Sequence, residues 1–305
     1  MNRFHFPAQL THHLRLMISL IGGSVMLGFI ISTPFVPATL PPKPAVKAAF
    51  SRTISSPKSQ SLDPPVISAS GVVIIDMNTQ TILFSKEPHR RLYPASLTKV
   101  MTALVALDYY DTNSIIRIDN GSLAVGAKAD LMMGDILTAE DMLFALLIPS
   151  GNDAALTLAE NYPGGYSAFL QQMNKKSETL GLVDTHFANV SGLDSYGHYT
   201  SASDMAIIAQ HALDRPLIKK IVSTQKITLK SEKGFVYPLV TTNELLGKPG
   251  ILGVKTGWTP EAGECLVTYS DRDDHPILIS LLGSTDRFGE TEKLIDWVYT
   301  NFIWE

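Results

Sequence analysis

From about residue 66 the chain alternates between short apolar runs of strand length and longer stretches with apolar residues at helical spacing. Val72-Val73-Ile74-Ile75-Asp76 reads as a strand, Met77-Asn78-Thr79-Gln80 as a turn, and Thr81-Ile82-Leu83-Phe84 as the return of a hairpin. Near the far end, three apolar runs at 250–256, 263–269 and 276–282 are divided by turn-rich segments. Between these ends the pattern is helical, at 98–109, 138–148, 153–160, 166–180 and 203–213. Thr138 followed by Asp141 marks a capping box. The chain closes at 290–302, where Leu294, Ile295, Trp297, Val298 and Phe302 recur on one helical face. Strands early and late with helices between them predict an α+β fold, an α/β sandwich. Its sheet is assembled from both ends of the chain, with a helical region inserted.

Upstream the pattern changes. An apolar run from Leu16 to Ile31 follows Arg3, Arg15 and three histidines. Its length lies between a signal-peptide core and a full membrane span, and counting on to Val36 makes it long enough to cross. Val36-Pro37-Ala38 also offers a small-residue cleavage site. Residues 1–15 are therefore expected on the cytoplasmic side and 16–36 as a signal-anchor or signal peptide. Either way the remainder is expected outside the cytoplasm, attached through this segment or released. Residues 37–65 are rich in Pro and Ser, a composition that stays extended and solvated. They predict a tether with a reach of about 30 Å, leading to a folded domain at 66–305.

Composition narrows the partners. Of 305 residues, 45% are hydrophobic and 18% charged, as in a globular protein. The net charge of −4 and the scatter of Lys and Arg argue against nucleic acid. The single cysteine, Cys265, precludes an internal disulfide and reads as a small core residue. No His-Glu-x-x-His run or Cys/His cluster points to a metal, and no cofactor is expected.

Candidate chemistry comes in three short runs. Ser-x-x-Lys occurs three times, at Ser55–Lys58, Ser96–Lys99 and Ser223–Lys226, but only Ser96 opens an apolar helix. A three-residue spacing puts a hydroxyl and an amine on one face. A lysine can deprotonate serine only if burial or a neighbouring cation lowers its pKa. Leu97, Val100, Met101, Leu104 and Val105 could bury Lys99, and Pro94 would fix the helix start. Ser150-Gly151-Asn152 is the only Ser-x-Asn. Ser150 supplies a second hydroxyl to relay a proton, and Asn152 an amide that both donates and accepts. Lys255-Thr256-Gly257, also unique, ends a strand. Lys255 and Thr256 would attract a carboxylate, Gly257 allows close approach, and the Trp258 N–H would join that of Ser96 as an oxyanion pair. Each run alone is as well read as a cap, a turn or a strand end. Their order and local context together point to serine acyl transfer.

With these runs the chain resembles the D-alanyl-D-alanine carboxypeptidases among the low-molecular-weight penicillin-binding proteins. The resemblance spans roughly residues 66–305. Besides the three runs it includes Asp153-Ala154-Ala155, His186-Phe187-Ala188-Asn189, Gly192-Leu193-Asp194 and Glu261-Ala262-Gly263. It implies a β-lactamase/transpeptidase-like fold, in which helices flank a five-stranded antiparallel sheet and a helical subdomain forms one cleft wall. It also implies a peptidoglycan stem peptide ending in D-Ala-D-Ala as substrate, with Ser96 as nucleophile, Lys99 as base and Ser150 as proton relay. Lys255 and Thr256 would hold the terminal carboxylate and Asn152 the peptide amide, while β-lactams would acylate Ser96. His186 and His198, in a Gly-, Asn- and Ser-rich loop, read as hydrogen-bonded loop residues rather than bases.

Many such relatives continue into a β-rich domain and an amphipathic helix. Here the apolar N-terminal segment is expected to take over anchoring. Three rival readings stand beside the carboxypeptidase: a murein D,D-endopeptidase of the same superfamily, a β-lactamase, for which no suitable Glu-containing loop is evident, and a non-catalytic wall-binding scaffold.

Overall fold

Strands that are apolar at nearly every position have two faces to cover, and the fold covers both. The structure is a computed structural model and describes residues 55–304. The expectations for 1–15, for 16–36 and for the first part of the tether lie outside these residues. Along the chain come β1 (Lys58–Ser59), β2 (Gly71–Asp76) and β3 (Ile82–Lys86), then a 3-10 turn (Ala95–Leu97) running into α1 (Thr98–Tyr109). Next are β4 (Ile115–Arg117), β5 (Ile136–Thr138), α2 (Ala139–Leu147), α3 (Asn152–Glu160), α4 (Gly165–Thr179), α5 (Ala202–Leu213) and α6 (Pro216–Val222). The hairpin β6 (Lys226–Lys230) and β7 (Val236–Val240) leads to β8 (Ile251–Thr259), β9 (Gly263–Arg272), β10 (His275–Ser284), α7 (Arg287–Asn301) and β11 (Phe302–Ile303).

The main sheet has five strands in the order β3-β2-β10-β9-β8, all antiparallel. Alternation along β2 assigns its two faces. Val73 and Ile75 join the larger core with α1 and α5, while Val72 and Ile74 pack with Leu294, Ile295 and Val298 of α7. β10 repeats the division, with Leu278 and Leu282 on one side and Ile277, Ile279 and Leu281 on the other. The architecture is the expected α+β sandwich. α1 is buried almost all round, from Thr98 to Ala106, so it forms the spine of the helical side rather than a surface helix. The capping expected at Thr138 is present: its hydroxyl oxygen accepts from the Asp141 N–H at 3.1 Å and its O–H donates to Asp141 Oδ2 at 2.7 Å.

The expected start of the domain at residue 66 needs correction. Lys58 and Ser59 pair with Ile303 and Phe302, and the Leu62 N–H donates to Asn301 Oδ1 at 2.8 Å. The end of the supposed tether is thus part of the folded unit. Its polar side chains conceal this because the pairing is made by backbone groups. α6, β4 and β5 are too short for their periodicity to stand out. Leu294 is fully buried between α7 and the sheet. Leu294→Ala is expected to cost about 2–5 kcal/mol, measured by denaturant unfolding.

Candidate active site

Ser96 sits in the 3-10 turn rather than on α1 itself. In a 3-10 turn residues three apart eclipse, so the Ser96–Lys99 proximity survives the change of helix type. Lys99 Nζ lies 2.9 Å from Ser96 Oγ and donates to the Ser191 carbonyl at 2.7 Å. Lys99 is fully buried. Burial, and then the positive charge of Lys255, hold its pKa well below that of an ordinary lysine, with Asp153 opposing. A neutral amine against a hydroxyl can accept its proton.

Two non-glycine residues beside the chemistry have left-handed backbone: Ala95, φ 48°, just before the first motif serine, and Ser150, φ 66°. Such conformations are costly and persist where surrounding contacts over-determine them. Ser150 is nearly buried, and its Oγ has no partner among the described residues. Asn152 opens α3; its Nδ2 donates to the Val125 carbonyl at 2.5 Å, while its buried Oδ1 has no partner among the described residues. The adjacent Asp153 accepts from the N–H groups of Ala129, Leu131 and Ala154 at 2.9–3.1 Å. Asn152 and Asp153 together thereby fasten the segment 125–131 to the motif.

The third run lies on β8, across from Ser96. Gly257 is essential to this approach: a Cβ there would stand 3.0 Å from Ala95 Cβ and 3.1 Å from the Ser96 nitrogen. Lys255 is buried and donates to the Thr256 carbonyl at 3.0 Å. Burial, then the Arg287 guanidinium, bring its pKa down to about 7. Thr256 Oγ1 is 2.5 Å from Thr242 Oγ1, and the Trp258 side chain is exposed. Ser96, Lys99, Lys255 and Gly257 are thus linked into one region by contacts or charge coupling, and Asp153, next to Asn152, is coupled to Lys99. A cavity of about 420 Å³ adjoins it, lined by Leu123, Val125, Asn152, Tyr166, Ser191 and Leu193. A larger depression of about 670 Å³, around Tyr110 to Ser114 beyond the far end of α1, contains none of the motif residues.

Several contributors have a role that the sequence pattern does not assign. Arg287, at the start of α7, donates from Nη1 to the Gly257 carbonyl at 3.1 Å and places a second cation beside Lys255. Asp153 reads as an ordinary helix-start acid until its three donors are seen. His186 Nδ1 lies 2.6 Å from the Gly197 carbonyl. His198 is buried beneath the Ser96 turn, held down at about pKa 4 by burial and by His186. Among the described residues no group of three or more His, Cys, Asp or Glu side chains is arranged to hold a metal.

Comparisons with known proteins bear on the family and the fold. The chain is 34% identical over 244 residues to the D-alanyl-D-alanine carboxypeptidase DacF of Bacillus subtilis, covering 77% of this chain and 63% of that protein. It is 29% identical over 286 residues to the D-alanyl-D-alanine endopeptidase of Escherichia coli, covering 91% of this chain and 88% of the relative. The crystal structure of the Streptomyces K15 DD-transpeptidase superposes with a TM-score of 0.75 at 30% identity, over 78% of this chain and all of that one. The profile of the D-alanyl-D-alanine carboxypeptidases matches residues 58–285, which begins at β1 and takes in all three motifs. By this match, the chain belongs to the D-alanyl-D-alanine carboxypeptidase family.

Proposed function

We propose that the protein is a serine-type D-Ala-D-Ala carboxypeptidase that removes the terminal D-alanine of peptidoglycan stem pentapeptides through an acyl-enzyme. The observation that chiefly supports this is the buried Lys99 amine, with its lowered pKa, 2.9 Å from Ser96 Oγ. Ser96 Oγ attacks the penultimate D-Ala carbonyl carbon and its proton passes to Lys99. The N–H groups of Ser96 and Trp258 hold the oxyanion. As the C–N bond breaks, the departing amine of the terminal D-Ala takes a proton through Ser150, whose buried hydroxyl has no partner among the described residues. Water then attacks the ester, releasing the shortened peptide and restoring the Ser96 hydroxyl. Lys255 and Thr256, backed by Arg287, hold the terminal carboxylate, and Asn152 holds the peptide amide. A β-lactam enters the same sequence as a substrate mimic and remains on Ser96.

A second reading, D,D-endopeptidase cleavage of cross-links, has one observation in its favour. The alignment with the E. coli endopeptidase extends over 91% of this chain, against 77% for DacF. Product analysis on a stem pentapeptide and on a cross-linked dimer separates the two. Release of D-alanine from the pentapeptide with an intact dimer supports the carboxypeptidase; the reverse result replaces it. A benzylpenicillin adduct mapped to any peptide other than the one bearing Ser96 defeats both.

The proposed site of action is outside the cytoplasm, with residues 16–36 as anchor or cleaved signal. The support is the sequence pattern alone. Among the described residues, no helix is long and apolar enough to cross a membrane.

The two lysines make kcat/KM bell-shaped in pH. Lys99 must be neutral, so activity rises with pH through its depressed pKa. Lys255 must be charged to hold a carboxylate, so activity falls as pH rises through about 7. Arg287 depresses Lys255, and Arg287→Leu is therefore expected to move the falling limb to higher pH while raising KM. A pH series on a D-Ala-D-Ala peptide reads both effects, and an unmoved limb removes Lys255 as its cause.

A further inference from the structure

We infer that His198 is a positioning residue for the Ser96 nucleophile, acting through the Thr98 hydroxyl on the carbonyl of Ala95. The inference rests on the acyl-transfer reading above and adds a residue outside the three motifs.

The directions of the hydrogen bonds leave little freedom. His198 Nδ1 accepts from the Ala188 N–H at 2.9 Å. In a neutral imidazole the proton then resides on Nε2. Nε2 lies 2.8 Å from Thr98 Oγ1 and donates to it. The Thr98 hydroxyl in turn donates to the Ala95 carbonyl at 2.9 Å. All three residues are at most 1% exposed, so water does not compete for any of these bonds.

The carbonyl at the end of this relay belongs to the residue with φ 48°, one position before Ser96. A left-handed alanine is held by its contacts rather than by its own preference. The Thr98 N–H also points to the Ala95 carbonyl, and Gly192 lies across it so closely that a Cβ there would stand 1.8 Å from the oxygen. Gly192 and His198 both come from the loop 186–200, which also supplies the Ser191 carbonyl to Lys99. One loop thus holds the nucleophile's turn from beneath and the base from the side. Loss of the His198–Thr98 bond frees the Thr98 hydroxyl to rotate, loosening the turn that aims Ser96 Oγ at its target. Ground-state binding uses Lys255, Thr256 and Asn152, which the relay does not touch.

Four variants test this: His198→Phe, Thr98→Val, His198→Gln and His198→Asn. The readouts are the benzylpenicillin acylation rate by intact mass, kcat and KM on a D-Ala-D-Ala peptide, and thermal unfolding. His198→Phe and Thr98→Val are expected to slow acylation and lower kcat by about 10- to 100-fold, with KM changed less than about twofold. The pair combined is expected to be no slower than the slower single variant, as members of one relay. His198→Gln, whose amide nitrogen reaches the Nε2 position, is expected to recover more rate than His198→Asn, which replaces only the Nδ1 acceptor. Thr98→Val leaves His198 in place and carries the test if His198→Phe does not fold. Folded variants that acylate at the wild-type rate overturn the inference. So do Gln and Asn variants whose rates simply follow their melting temperatures. Wild-type protein that takes no benzylpenicillin on Ser96 overturns the acyl-transfer reading itself, a result distinct from normal wild-type acylation with unimpaired variants.

Discussion

Ser96→Ala is expected to abolish both D-alanine release and covalent benzylpenicillin binding, with kcat falling by at least about 10⁴-fold. Among the described residues Lys99 Nζ meets Ser96 Oγ and the Ser191 carbonyl, and the Ser150 hydroxyl has no hydrogen-bond partner. The substitution removes one oxygen from a turn set by Pro94, Ala95 and Gly192, and alanine fits that turn without rearrangement. Thermal stability is therefore expected to change by no more than about 0.5 kcal/mol. Intact mass spectrometry after benzylpenicillin treatment reads the adduct, and chromatography of a pentapeptide digest reads D-alanine. A stable, folded variant that still carries the adduct assigns the nucleophile elsewhere.

Lys99→Met ranks second and is expected to cost nearly as much, because nucleophile and base act as a unit. Methionine approximates the length of the lysine side chain and suits a fully buried site flanked by Val100 and Met101. Replacing a desolvated amine with an apolar chain should leave stability equal or improved, apart from the lost bond to the Ser191 carbonyl. Loss of activity alongside an undiminished melting temperature separates a catalytic role from a structural one. The double variant Ser96→Ala/Lys99→Met is expected to be no less active than Ser96→Ala alone. Independent, multiplying losses would mean that Lys99 does not act on Ser96.

Much of the layout could be read along the chain. The runs around 72–76, 263–269 and 276–282 are central strands because they are apolar at consecutive positions, the mark of a sheet covered on both faces. The Ser96–Lys99 contact follows from spacing alone, since both 3-10 and α geometry bring residues three apart together. What stayed hidden has recognisable causes. β1 pairs with β11 through backbone groups, which leave no trace in side-chain pattern. Arg287 meets Gly257 and influences Lys255 only because α7 begins beside β8. His198 looks like a loop histidine until the loop is seen folded beneath Ala95.

By itself the sequence determined the classes of chemical group present, their local spacing, and which segments are strand or helix. These depend on covalent neighbours and on periodicities of two and 3.6 residues. The tertiary structure alone decided that the lysines lose much of their basicity, that an acid in the first turn of α3 fastens the segment beside it, and that Ser96 follows a residue held in left-handed backbone. Each of these follows from burial and from contacts between residues far apart in the chain, and desolvation has no value until the fold excludes water.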